Sequence, residues 1–238
     1  MGNERGIMAS LHVRHLHVTQ GEFTLEVPAF LLEGGKFLGV LGASGAGKST
    51  LLHAMAGLIP CGGEVWLDAA ALHKMPPHLR EIGMVFQSPV LMEEWSVEEN
   101  LRLLLRAKKS PKASWQKRIQ NALQNAQASH LLEIKASHLS GGERQRVGIA
   151  QALLFEPKVL LMDEPFSALD PSLRKGLQEM IRTLAREKDI AVVFVTHDRD
   201  EAFGLCDTLM VLERGKVLQV GSPQVLHEFP QTLALAKY

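Results

Sequence analysis

Residues 42–50 read GASGAGKST and satisfy the pattern GxxxxGK[ST]. Glycines at this spacing let backbone N–H groups turn inward around phosphate oxygens, and a helix that follows adds the positive end of its dipole. Gly42, Ala43, Ser44, Gly45, Ala46, Gly47, Lys48, Ser49 and Thr50 are therefore candidate phosphate-binding residues. Lys48 has the reach and charge for the outer phosphates, and the Ser49 hydroxyl suits magnesium. The plainer alternative is a glycine-rich turn with a surface lysine.

A second cluster of chemical groups lies at VLLMDE, residues 159–164. An apolar run ending in two carboxylates places them at the carboxyl end of a buried strand, where ligands of open α/β sheets collect. Asp163 is the metal candidate opposite Ser49, and Glu164 is the candidate base for an attacking water. Taken alone, two acids after a strand also suit a helix cap. His197 ends IAVVFVTH, and Gln87 ends IGMVFQ, where its amide suits magnesium or the water. Gln87, Asp163, Glu164 and His197 are thus expected to close four apolar strands at one sheet edge, and such convergence argues for a site.

The elements that would hold these groups are legible from their periods. LHVRHLHV alternates as a strand, and FLGVLG is a buried apolar run ending at the phosphate loop. LLHAMAGL reads as a helix closed by Gly57. GGEVWLD and IGMVFQ read as further strands. From about residue 97 to 135 the spacing turns helical, as in VEENLRLLLRAKK and SWQKRIQNALQNAQASHLLEI. KVLLMDE and IAVVFVTH are continuous and apolar, as parallel strands covered on both faces must be. The proline-opened amphipathic helix PSLRKGLQEMIRTLAREK lies between them. TLMVLERGKVLQVG closes as a hairpin turning at Arg214-Gly215.

Bulk properties narrow the class. The 238 residues suffice for one large domain or two small ones, on a prior of ~100–200 residues each. The 26 basic residues balance 26 acidic ones, which gives no whole-chain drive toward nucleic acid or anionic lipid. Cys61 and Cys206 are far apart and match no zinc or disulfide pattern, which suits a reducing compartment. The longest apolar runs are too short to span a bilayer. MGNERGIMAS lacks a signal-peptide core, and its sixth residue is not the Ser or Thr of a myristoylation signal. His12, His15 and His17 invite a metal reading. Only His15 and His17 are expected to share a strand face, and no cysteine or carboxylate pattern joins them, so solvated strand histidines are expected.

LSGGERQR, residues 139–146, has neither a nucleophile with a base nor a metal-ligand spacing of its own. With the motifs above, in this order, the chain resembles the ATPase subunits of ATP-binding cassette (ABC) transporters. GASGAGKST looks like the Walker A loop, VLLMDE the Walker B strand, Gln87 the Q-loop glutamine, SALD (167–170) the D-loop, His197 the switch histidine and LSGGERQR the signature. The resemblance implies an α/β P-loop NTPase with a RecA-like parallel core, an N-terminal antiparallel β subdomain and an inserted helical subdomain. All lie in one domain, with core at about 1–87 and 144–238 and helices at about 88–143. It implies ATP and Mg2+ as cofactors, and a nucleotide-sandwich dimer with a second copy of the chain. In that dimer Ser140, Gly141 and Gly142 of one copy cover ATP held by the other, the next residues beginning a helix aimed at the phosphates.

By the same resemblance the helical insertion meets transmembrane permease subunits. SPVLMEEWSVEEN would line a groove for a cytoplasmic helix of the permease, with Phe86, Leu91, Met92 and Trp95 supplying apolar contacts or else core packing. Glu93, Glu94 and Trp95 are less usual for the family. One departure concerns adenine: Gln20 stands near the position of the family's stacking aromatic, and either Phe23 substitutes after a shift or the base is loosely held. EPFSALDPSLR resembles importers of inorganic anions, iron, thiamine and polyamines. This reading places the protein peripherally at the cytoplasmic face of the inner membrane, with a periplasmic or surface substrate-binding protein and without nucleic acid. Closing at Tyr238, the chain is expected to lack a C-terminal regulatory domain. An exporter subunit is the nearer alternative and a soluble non-transport ABC ATPase the more distant one.

Overall fold

Alternation in the first strand and unbroken apolar runs later divide the sheet into an antiparallel and a parallel half. The computed structural model describes residues 9–230. The chain opens with β1 (Ser10–Gln20), β2 (Phe23–Val27), β3 (Phe30–Glu33) and β4 (Phe37–Leu41), which runs into the glycine loop and α1 (Lys48–Ala56). β5 (Gly62–Leu67), β6 (Ala70–Ala71) and β7 (Ile82–Val85) follow. Helices α2 (Val97–Ala107), α3 (Trp115–Asn125) and α4 (Gly141–Leu153) are consecutive. Then come β8 (Val159–Asp163), α5 (Pro171–Glu187), β9 (Ala191–Thr196), α6 (Arg199–Leu205), β10 (Thr208–Glu213), β11 (Lys216–Gly221) and α7 (Pro223–Glu228). Readings made on the first eight residues and on Tyr238 lie outside the described residues.

The described strands form one sheet in the order β6-β5-β1-β2-β11-β10-β4-β9-β8-β7, with β3 beside β1. From β10 to β7 every pairing is parallel, while β1 pairs antiparallel with β2, β3 and β5. Every residue of β4, β8 and β9 is buried, because apolar layers cover both faces. Leu160, Met162, Val192 and Phe194 pack into the core shared with α2–α5. Val159, Leu161, Val193 and Val195 pack into the core shared with α1 and the antiparallel strands. The expected α/β P-loop architecture, with its antiparallel β part and inserted helices, is the one observed.

Local chemistry sets the element ends. Gly57 closes α1 in the left-handed conformation, with φ 77°. Ser96 and Glu99 cap each other reciprocally at the start of α2. Asp170 caps α5, whose first residue is Pro171. Arg214 and Gly215 both take positive φ, which matches the right-handed twist of the hairpin they join.

The first strand departs from expectation. A bulge between Arg14 and His17, with His15 at φ 48°, flips the alternation, so Leu11 and Val13 precede it inward and Leu16 and Val18 follow it inward. His15 and His17 are both exposed and line one surface depression, as expected, while His12 is half-buried. His17 Nδ1 lies 3.2 Å from its neighbour's carbonyl at His15, and no group of three metal-ligating side chains occurs among the described residues.

Candidate functional site

The phosphate loop is shaped by backbone that only glycine adopts freely. Gly45 and Gly47 take φ 76° and 104°, and a side chain on Gly42 would start 2.3 Å from the Leu212 carbonyl oxygen. The N–H of Gly215 donates to Ala46 at 2.9 Å, so the β10–β11 hairpin braces the loop. No side chain caps α1, which leaves its first N–H groups directed at the loop. Lys48 is buried and donates from Nζ to the carbonyls of Gly42 (2.8 Å) and Ala43 (3.1 Å). Burial pulls its pKa down, while the carboxylates of Glu164 and Asp163 oppose that shift.

Three strands, rather than four, bring the polar residues to the loop, because Asp163 and Glu164 both close β8. Glu164 takes φ 45° and donates its N–H to Val195, which turns its side chain across the edge. Its carboxylate accepts from Gln87 Nε2 at 3.2 Å and lies 3.1 Å from His197 Nδ1. A cleft of about 550 Å³ is lined by Ser44, Gly45, Gly47, Lys48, Ser49, Thr50, Gln87, Glu164 and His197. Gln20 and Phe23 form the rest of its lining. Gly42, Ala43, Ala46 and Asp163 are not in its lining: Gly42 and Ala46 are buried, Ala43 is exposed elsewhere, and Asp163 is buried, 6% exposed. Ser49 and Asp163 supply hard oxygen donors of the kind magnesium takes.

A network that motif reading missed holds the residues beside His197. Thr196 donates its hydroxyl to Glu201 at 2.8 Å and accepts from the N–H of Asp198 at 3.0 Å. Arg174 pairs with Asp198 (3.5 Å) and Glu201 (3.3 Å). Burial pushes the Glu201 carboxyl up, against the hydrogen bond from Thr196. Its sequence signal is the Asp198 cap with an acid three residues on.

Ser140, Gly141 and Gly142 do not line this chain's own cleft. Ser140 caps α4: its Oγ donates to Glu143 at 2.7 Å and accepts from the Glu143 N–H at 3.4 Å. The helix thus begins at Gly141, with the glycines inside its first turn and not ahead of it. A side chain on Gly141 would find its nearest neighbour 3.8 Å away at Ala168, so packing within this chain does not demand glycine there.

A separate groove of about 810 Å³ opens beside β7, α2 and α4, with Phe86, Val90 and Met92 on its wall. Leu91 is core, at 8% exposure. Trp95 is 42% exposed yet lies outside the groove lining, so only two of the four expected contacts, Phe86 and Met92, are there.

The family model described as ABC transporter matches residues 25–167. The chain is 40% identical over 205 residues to the spermidine/putrescine import ATP-binding protein PotA of Legionella pneumophila, covering 86% of this chain and 56% of that protein. It is 41% identical over 202 residues to the sulfate/thiosulfate import ATP-binding protein CysA of Gloeobacter violaceus, covering 84% and 59%. The chain thus spans little more than half the length of these two curated relatives. Among solved structures it resembles an ATP-binding subunit of an ABC transporter, with TM-score 0.80, 29% identity and 92% of each chain covered. It also resembles an ATP-binding cassette solved as a post-hydrolysis dimer bound to ADP and Pi, with TM-score 0.79 and 28% identity, covering 90% of this chain and 98% of that one.

Proposed function

Because the chain belongs to the ABC transporter family, we propose that it is the ATP-hydrolysing, energy-coupling subunit of an ABC importer. The observation that carries this reading is the Glu164 carboxylate held between Gln87 and His197 at the mouth of a glycine phosphate loop. The N–H groups of the loop and the start of α1 receive the phosphates. Lys48 moves from the carbonyls of Gly42 and Ala43 to the outer phosphates, and the positive charge it keeps there stabilises the charge that develops on them. Glu164 accepts a proton from the attacking water, while Gln87 and His197 orient that water and the outer phosphate. Ser49 and Asp163, with Gln87, would hold Mg2+, which when bound neutralises phosphate charge.

Ser140, Gly141 and Gly142 complete the site from a second copy, over the open space at Gly141. The groove at Phe86 and Met92 receives a cytoplasmic segment of a transmembrane permease. Among the described residues no helix is long and apolar enough to cross a membrane, so the permease would hold the protein at the cytoplasmic face of the inner membrane. An importer also implies a substrate-binding protein outside that membrane. The import names of the polyamine and sulfate relatives support this direction of transport, and they span two chemically different cargoes.

The test is Glu164→Gln. It should keep ATP binding, lower turnover by at least about 100-fold, as loss of a general base does, and accumulate an ATP-bound dimer on size-exclusion chromatography. Parental turnover in this variant would remove Glu164 from the base role.

A further inference from the structure

The segment after Gln87 and the signature helix are joined by an ion pair that the cleft itself does not use. Arg144, in the first turns of α4, donates from Nη1 to Glu93 Oε1 at 2.7 Å and from Nη2 to Oε2 at 2.9 Å. Nη2 also donates to the Ala136 carbonyl at 2.9 Å. Two parallel bonds fix the plane of a guanidinium, which a single-point ammonium contact would not. The pairing holds the Glu93 carboxyl below the usual range and raises Arg144.

Backbone bonds extend the tie. The N–H of Ser137 donates to Glu93 at 3.0 Å, that of Ala136 to Trp95 at 2.9 Å, and that of Val97 to Ile134 at 2.9 Å. Residues 93–97 therefore run alongside 134–137, the stretch leading directly into Ser140. At side-chain exposures of 26% for Arg144 and 53% for Glu93, such a pair contributes little to stability. Its geometry acts instead on where the start of α4 points.

We propose that Glu93 and Arg144 are positioning residues, which lock the segment following Gln87 to the signature helix and so set how Ser140, Gly141 and Gly142 meet a second copy's cleft. This rests on the composite-site reading above. It also reassigns Glu93 from a groove contact to an internal tie.

The experiment is a double-mutant cycle of Glu93→Gln and Arg144→Met, read as ATP-dependent dimerisation in the Glu164→Gln background and as turnover without it. Each single variant should weaken dimerisation and lower kcat about tenfold. Affinity of the monomer for a fluorescent ATP analogue and the melting temperature should hold at parental values. The double variant should be no worse than the weaker single, because both remove one tie. Parental dimerisation in Glu93→Gln, or effects that multiply in the double variant, would overturn the proposal. A Glu164→Gln chain that never dimerises with ATP would instead bring down the composite-site reading, and the tie with it.

Discussion

Gln20 and Phe23 face each other across the turn joining β1 and β2, and both line the phosphate cleft. Only Phe23 offers a π-face, and its ring tip would lie 2.8 Å from a side chain begun on Gly47. Stacking of a base on an aromatic ring contributes ~1–3 kcal/mol. Phe23→Ala should therefore weaken ATP binding about tenfold, while binding of inorganic tripolyphosphate, which has no base, stays at the parental value in calorimetric titration. Equal loss for both ligands would show that the ring supports the loop and not the base. Residues whose placement depends on close spacing were legible in the sequence: Lys48 and Ser49 within the loop, Asp163 and Glu164 after an apolar run, His197 closing another. What spacing could not convey is geometry set by distant partners. The positive φ of Glu164, whose N–H bonds across to Val195, and the bond between Glu93 and an arginine 51 positions away are set by partners distant in sequence.

At the scale of elements, periodicity gave the parallel strands, the long α5 and the hairpin at Arg214-Gly215. It failed where one residue shifts the period without a glycine or proline to mark it. His15 is such a residue, and the bulge there moves the inward positions from Leu11 and Val13 to Leu16 and Val18. The hairpin shows how one element serves another. Gly215 takes φ 79°, donates to Ala46 in the phosphate loop, and sits so close to β2 that an added Cβ would lie 1.9 Å from the Thr24 carbonyl oxygen. Gly215→Ala incurs ~1–2 kcal/mol for left-handed backbone alone, before relief of that clash. For a chain of this size the melting temperature should fall by at least ~2 °C. Nucleotide affinity should fall with it, because the brace on Ala46 shifts. An unchanged melting curve would mean that the hairpin relaxes freely and does not brace the loop.

At the scale of the whole molecule, the loop cleft and the stretch proposed to complete it do not meet within one chain. Its cleft holds the loop and the residues closing β7, β8 and β9, while Ser140, Gly141 and Gly142 lie elsewhere on the same chain. If two copies join head to tail, each closed site takes its loop from one copy and its signature from the other, and defects in the two halves become separable. Ser140→Arg removes the α4 cap, at ~1 kcal/mol, and places bulk and charge where phosphate would arrive. It should bind nucleotide as a monomer yet neither dimerise with ATP nor turn over. Lys48→Met should fail for the opposite reason, with an intact signature and a crippled loop. Mixed in equal amounts, the two inactive chains should recover hydrolysis. In the mixed dimer both defects fall in one site, where the arginine faces a cleft without tightly held nucleotide, and the other site is wholly parental. A mixture that forms mixed dimers but remains inactive would mean that loop and signature do not act across the two copies.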